Sequence, residues 1–396
     1  LVETPDDNIE NLQKIVELDP TVKSARKNEI AELLTNDPRW IDQWGHRKIR
    51  IEETWFTETT GRTNPKVKVG IIDTGVSLDS NLNYNHYDLG PNLSNTKRYN
   101  TAQDSALPFS AQDVTDTLGH GTHMAGIIGA TANNNLGIAG LNWNVEIIPI
   151  KAIIATIIGE REWPLAYLYS ALNWAQYQDL DILNMSLGWQ NHYQENDGDN
   201  ADYYIDNMLT FGVIIIAAAG NDGRNDCIYP AAHAGVICVA ATDQNDALAV
   251  GSSGRQDADI LAPGVDIIST VPTDSLFDGN GNGVESLNQD NLFGGTSMAA
   301  AYVSGVTALC MSVVPVSERA ELKCSRYWHN GFGRIDAWAT VWYHNCNKID
   351  NNHDGKVSSQ DRQAIAFRVN QPSLYSPPLD VFPVGGDGNI DSADAY

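Results

Sequence analysis

Residues 66–75 read Lys-Val-Lys-Val-Gly-Ile-Ile-Asp-Thr-Gly. The run is largely apolar and β-branched up to Asp73, and it breaks at Gly75. A short apolar run bounded by a turn signal is the pattern of a strand buried on both faces. The pattern recurs at 147–154, 181–185, 213–219 and 236–242. Between these runs, 120–130, 165–178 and 297–312 read as helices. Strands alternating with helices predict an α/β fold of three layers, a largely parallel central sheet flanked by helices. In such sheets ligands bind outside the carboxyl ends of the strands. Asp73, Ser186 and Asn221 each stand just after an apolar run, so the fold predicts that they converge.

Two further segments bring complementary chemistry. Residues 119–126, Gly-His-Gly-Thr-His-Met-Ala-Gly, open the first of these helices. Residues 294–300, Gly-Gly-Thr-Ser-Met-Ala-Ala, open the last. A serine hydroxyl is a poor nucleophile until a base takes its proton, and the base needs an anion to fix its tautomer. Ser297, His120 and Asp73 supply hydroxyl, base and anion. Ser297 at a helix start would have its backbone N–H free for a developing oxyanion, and the Asn221 amide is the second candidate donor. Each residue also has a plainer reading. Asp73 and Ser297 suit helix caps, the Asn221-Asp222-Gly223 segment suits a turn, and His123 competes with His120 as the base. All four coinciding by chance is the weaker account.

Together these segments resemble the subtilisin family of serine endopeptidases (subtilases, peptidase S8). The Asp, His and Ser segments come in that family's order. Further resemblance lies in 217–221 (Ala-Ala-Ala-Gly-Asn), 261–264 (Leu-Ala-Pro-Gly) and 331–337 (Gly-Phe-Gly-Arg-Ile-Asp-Ala). The resemblance implies peptide-bond hydrolysis through an acyl-enzyme, with protein or peptide substrates lying extended against edge segments. It assigns substrate contacts to Ser186, Leu187, Gly188, Ala218, Ala219 and Gly220. Ile228 falls where the family often has glycine at the floor of the specificity pocket, which implies a shortened pocket. Ala301 and Tyr302 stand where the family usually has Pro and His. Residues 81–117 read as an extra polar surface loop, and 297–333 as a shortened stretch.

The family resemblance also implies a stabilising Ca²⁺ held by Asp37, Asp88 and Asn134 with carbonyls of the 133–138 loop. For Asp88 a plain surface turn is an equal reading. Near the C-terminus, residues 350–361 follow the EF-hand spacing. Asp350, Asn352, Asp354, the Lys356 carbonyl, Ser358 and Asp361 are its candidate ligands, and Gly355 takes the sixth position. Asp at the twelfth position resembles a type I dockerin repeat. A second, incomplete half-motif follows at 387–394. This segment implies a cohesin-like partner or, equally, a Ca²⁺-stabilised tail that is removed.

The division expected is therefore 1–34 as a propeptide remnant or N-terminal extension, 35–345 as the peptidase domain, and 346–396 as the calcium segment. Composition fits an exported enzyme. The 396 residues carry 50 acidic and 25 basic side chains, a net charge of −25. Clustered cations for nucleic acid are lacking. No apolar run approaches the ~20 residues of a membrane span. The chain shows no initiator Met and no signal peptide, so it reads as part of a secreted precursor, acting as a monomer. Of five cysteines, Cys227 and Cys238 are placed to close a small loop, Cys310 reads as a buried thiol, and Cys324 with Cys346 is the remaining pair. An inactive calcium-dependent binding scaffold and a narrow-specificity processing protease are the competing functions.

Overall fold

The computed structural model describes residues 35–340, apart from 58, 62–64, 79–80, 82, 102–111, 156–160, 163, 190–200, 274–283, 287–294, 314–332 and 338–339. They fall within one compact unit, Thr35–Asn345. The expectations placed on 1–34, on the Asp350, Asn352, Asp354, Lys356 and Asp361 loop, and on the Cys324–Cys346 pair lie outside the described residues.

In chain order the elements are α1 (Trp44–Lys48), α2 (Ile51–Thr57), β1 (Val67–Asp73), β2 (Tyr99–Asn100), α3 (His120–Gly129), β3 (Val145–Lys151), β4 (Ile154–Ala155) and β5 (Arg161–Glu162). There follow α4 (Leu165–Ala175), β6 (Ile182–Met185), α5 (Ala201–Thr210), β7 (Ile214–Ala218), β8 (Ile237–Thr242), β9 (Ile260–Pro263), β10 (Ile268–Thr270), β11 (Val284–Ser286) and α6 (Thr296–Ser312). Seven strands form one sheet in the order β2-β3-β1-β6-β7-β8-β9, and all its pairings are parallel.

The period of two along each strand feeds two cores. Ile214, Ile216 and Ala218 of β7 face one core, which α3 and α6 complete. Ile215 and Ala217 face the other, which α4 and α5 complete. This is why the strands read as continuous apolar runs rather than alternating ones. Helix α6 is buried at every residue except Ser297. Its small residues allow close approach: a Cβ on Gly305 would meet Leu141 Cδ1 at 2.6 Å. Among the described residues no helix is long and apolar enough to cross a membrane.

The register places the site. Asp73 ends β1 opposite Lys151 of β3, and Ile71 pairs with Asn184 of β6. Because β3 and β6 flank β1 on opposite sides, the chain direction across the sheet reverses there, which opens a crevice at the strands' carboxyl ends.

One expectation needs correction. The 81–117 stretch is not only surface decoration. Leu89, Leu93 and Val114 are buried in the core, and β2 extends the sheet edge. Its polar composition hid three anchors spaced too far apart to make a visible period.

Candidate active site

Asp73 is 1% exposed at the end of β1. The backbone N–H of Thr74 donates to its Oδ1 at 2.7 Å. His120 is the first residue of α3, and its Nδ1 lies 2.7 and 2.9 Å from the two Asp73 oxygens. A nitrogen facing a carboxylate carries the proton, which leaves Nε2 as the basic nitrogen. His123 points elsewhere, with Nε2 3.1 Å from the Ile267 carbonyl. The geometry therefore pairs His120, not His123, with Asp73.

What holds His120 at this point is Asp116. Its Oδ1 accepts from the N–H groups of Leu118 (3.0 Å) and Gly119 (2.8 Å), and its Oδ2 from the N–H and hydroxyl of Thr122 (2.9 and 2.6 Å). A carboxylate capping a helix start satisfies donors that the helix itself leaves unpaired. Gly121 is needed because a Cβ there would sit 2.2 Å from the Gly75 carbonyl oxygen. Its N–H donates to Thr74 Oγ1 at 2.8 Å, joining α3 to the residue after Asp73.

Ser297 is the second residue of α6, so its N–H is among those without an intrahelical acceptor. Its hydroxyl donates to the Ser186 carbonyl at 3.1 Å, and the Ser186 hydroxyl donates back to the Ser297 carbonyl at 2.8 Å. Asn221 follows β7. Its Oδ1 accepts from the N–H and the hydroxyl of Thr296, both at 3.1 Å. Holding the amide oxygen leaves the NH₂ end of Asn221 as the donor to any ligand. Gly295, at φ +117°, admits this contact because a Cβ there would lie 2.4 Å from Asn221 Oδ1.

The remaining predicted contacts form a slot. Ser186, Leu187 and Gly188 follow β6, and Ala218, Ala219 and Gly220 end β7 and run toward Asn221. Ile228 lies between them. A Cβ on Gly188 would meet Ile228 Cδ1 at 2.5 Å, and one on Gly220 would meet it at 3.0 Å. Its N–H bonds the Ala219 carbonyl at 3.0 Å. The side chain thus fills the space between the two glycines.

The family model described as Subtilase family, Peptidase_S8, matches residues 64–326, well over half of the chain. The chain belongs to the subtilase family. It is a serine-type endopeptidase. Halolysin of Haloferax mediterranei is 30% identical over 327 residues, covering 80% of this chain but only 56% of halolysin. Subtilisin DY of Bacillus licheniformis is 32% identical over 275 residues, 67% of this chain and 84% of that protein. Among solved structures, a protease from Pseudoalteromonas arctica superposes with a TM-score of 0.61 at 23% identity, over 78% of this chain and 99% of that one. This last likeness bears on the fold alone.

In this subtilase Asp37, Asp88 and Asn134 lie side by side. Asp37 Oδ2 and Oδ1 accept from the N–H groups of Asn133 (2.8 Å) and Asn134 (3.1 Å). Asn134 Nδ2 donates to Asp88 Oδ1 at 2.7 Å, and the Ile138 N–H donates to Asp88 Oδ2 at 2.8 Å. Asp88 is fully buried, and burial pushes its carboxyl up to about 7. Burial also raises Asp37, and its charge adds to the rise at Asp88. The donors are all oxygen and include two buried carboxylates, a set that fits Ca²⁺. Among the described residues no three His, Cys, Asp or Glu side chains cluster as metal ligands, so any bound ion would draw on Asn134 and carbonyls as well.

Cys227 and Cys238 form a disulfide, and Cys310 is a buried free thiol. The sequence reading missed Thr74, Asp116, Thr296 and Lys151. No local signal marked them: the cap position before His120 is Gly119, and Asp116 reaches the helix start from three residues further back.

Proposed function

We propose that this subtilase cleaves peptide bonds with Ser297 as nucleophile, His120 as general base and acid, and Asp73 as the group that orients His120. The observation that carries the reading is the 2.7 Å contact between Asp73 and His120 Nδ1 at the crevice above the sheet. Ser297 Oγ attacks the scissile carbonyl carbon while its proton passes to His120 Nε2. In the resting arrangement that proton is donated to Ser186 instead. The carbonyl oxygen becomes an oxyanion, taken by Asn221 Nδ2 and the Ser297 N–H. Collapse expels the amine, which receives the proton from His120 and leaves an acyl-serine. Water repeats the cycle and releases the acid.

The test is labelling with a serine-directed fluorophosphonate. Folded protein is expected to react at Ser297, and Ser297→Ala to be inert. Folded protein that stays unlabelled supports the scaffold alternative and defeats this one.

The filled slot at Ile228 supports a preference for a small or medium apolar residue before the scissile bond. A peptide panel varying only that residue checks it, and fastest cleavage after Phe or Tyr would sink it. Such a restriction also keeps the narrow-specificity processing protease in play.

Ca²⁺ at Asp37, Asp88 and Asn134 is part of the same proposal, as is a second ion in the 350–361 loop, where spacing is the support. At the first site a bound ion would supply positive charge to the buried carboxylates of Asp37 and Asp88 and would take no part in the reaction. Secretion, removal of 1–34, a monomeric state, and docking of the C-terminal segment to a cohesin-like partner complete the reading. Acidic composition supports the first, and the dockerin-like spacing supports the last.

A further inference from the structure

Lys151 is a buried cation that the reaction above does not use. It ends β3 directly opposite Asp73 and is 8% exposed. Its ammonium donates to the Thr74 carbonyl at 2.6 Å and to the Thr115 carbonyl at 2.7 Å. Those two carbonyls belong to different halves of the Asp73–His120 pair. Thr74 follows Asp73, its N–H donates to the Asp73 carboxylate, and its hydroxyl accepts from Gly121 in the helix of His120. Thr115 precedes Asp116, whose carboxylate caps that same helix. The chain after Lys151 adds to the clamp: the N–H groups of Ala152 and Ile153 both donate to the Asp73 carbonyl, at 2.9 and 3.2 Å.

We propose that Lys151 is a positioning residue for the Asp73–His120 pair, its ammonium joining the Asp73–Thr74 turn to the Thr115–Asp116 cap and its charge acting on the imidazole. This rests on the reading of Asp73, His120 and Ser297 as the reacting groups.

Two short bonds to carbonyls are the lengths of charge-assisted contacts, which fits an ammonium rather than a neutral amine. The charged groups around it are Asp73 from β1, which His120 contacts, and Asp113 and Asp116 from the segment before α3; β2 contributes the uncharged Asn100. Burial pushes the amine below the ordinary lysine value, and the carboxylates of Asp116, Asp113 and Asp73 oppose that only in part. The apolar stem cannot be replaced by a surface lysine, since the reach starts inside the sheet.

The charge has a readable consequence. A cation beside the Asp73 carboxylate weakens the hold of that carboxylate on a charged imidazole, so the acid limb of the pH profile is expected to move upward when the cation is removed. The experiment compares the kcat/KM pH profile of the full chain with those of Lys151→Met and Lys151→Gln on one peptide substrate. Active enzyme is counted by fluorophosphonate labelling, and failure of the unmodified chain to label would strike the proposed function itself and not this inference. For Lys151→Met we expect kcat per labelled site to fall about tenfold or more, KM to stay within about twofold, and the acid limb to move upward by about half a pH unit or more. Lys151→Gln keeps a donor for one carbonyl without the charge, so the same limb shift should come with a smaller loss in kcat. An unmoved limb with full kcat per labelled site overturns the proposal. So does a fall in labelled sites with kcat per site and limb unchanged, which is what a purely structural lysine gives. If neither variant folds, Lys151 serves folding alone and the proposal is wrong.

Discussion

Asp73 and Asp88 are both buried carboxylates, at 1% and 0% exposure, yet the fold treats them differently. Asp73 faces an imidazole, a group able to take up positive charge when the reaction demands it. Asp88 accepts only from an amide N–H and an asparagine NH₂, with a second carboxylate, Asp37, nearby. Dipoles alone do not repay the desolvation of a buried charge, and the Asp88 carboxyl rises to about 7. A buried carboxylate with a titratable partner is suited to chemistry. One without such a partner is suited to holding an ion. The comparison can be broken at either end.

The largest effect is expected at Asp73. Asp73→Asn preserves the shape but removes the anion that selects the Nδ1–H tautomer of His120. We expect kcat to drop about ten-thousand-fold with an unchanged circular dichroism spectrum. A loss under about tenfold would end the reading of Asp73 as the orienting group. Next comes Asn221→Ala. Loss of one oxyanion donor lowers kcat by about a hundred- to a thousand-fold, with KM moving little, because the bond forms only as the carbonyl oxygen gains charge. A rise in KM at constant kcat would instead mark Asn221 as a ground-state contact.

Both residues were legible in the sequence for one reason: each ends an apolar run, where the chain leaves a parallel sheet. Strands β1, β3, β6, β7 and β8 and helices α3 and α6 announced themselves in the same way, because burial on all sides forces continuous apolar composition; α4 was read as a helix although only Leu168, Ala171, Leu172 and Ala175 are buried. The groups that fix the geometry of the candidate site did not. Thr296 orients Asn221 across 75 positions, and Lys151 reaches Thr74 across 77. Such bonds leave no local period. Helix α5 was also missed; Ala201, Tyr204, Ile205 and Met208 are buried and Leu209 packs beside them, but Asp202, Asp206, Asn207 and Thr210 interrupt the apolar pattern. Ile228 was legible as a departure from a family habit, but only the contact with Gly188 and Gly220 shows where its side chain goes.

The smaller effects belong to Asp88. A chelator should destabilise the protein at pH 8 and do so less at pH 5. Burial raises the folded-state carboxyl to about 7, above its ordinary value of 3.8. Without metal, the folded state therefore binds a proton that the unfolded state gives up between those values. That contribution is fully present below about 3.8 and is lost as pH rises through about 7. Calcium needs the ionised carboxylate, so its advantage grows over the same window. At a free Ca²⁺ level a hundred times the dissociation constant, the gain is about 2.7 kcal/mol. For a domain of this size that corresponds to a few degrees in Tm. A chelator effect that is equal at both pH values would break the assignment.

The finest test is Asp88→Asn, read against the wild type. Asparagine fits the same buried space and removes the charge that burial penalises. Its side chain keeps one acceptor for the Ile138 N–H and turns a donor toward Asn134, whose amide must flip to meet it. That flip costs the Leu136 N–H its present acceptor, Asn134 Oδ1, in a loop open to water. We therefore expect the chelated variant at pH 8 to match the chelated wild type within about 1 kcal/mol, or to exceed it. Added Ca²⁺ should raise its Tm by less than it raises that of the wild type, and kcat should be unchanged. A variant that Ca²⁺ still stabilises fully would show that the ion does not need Asp88. The carboxylate would then be an unpaired buried charge like any other, and the contrast with Asp73 would reduce to the presence of His120.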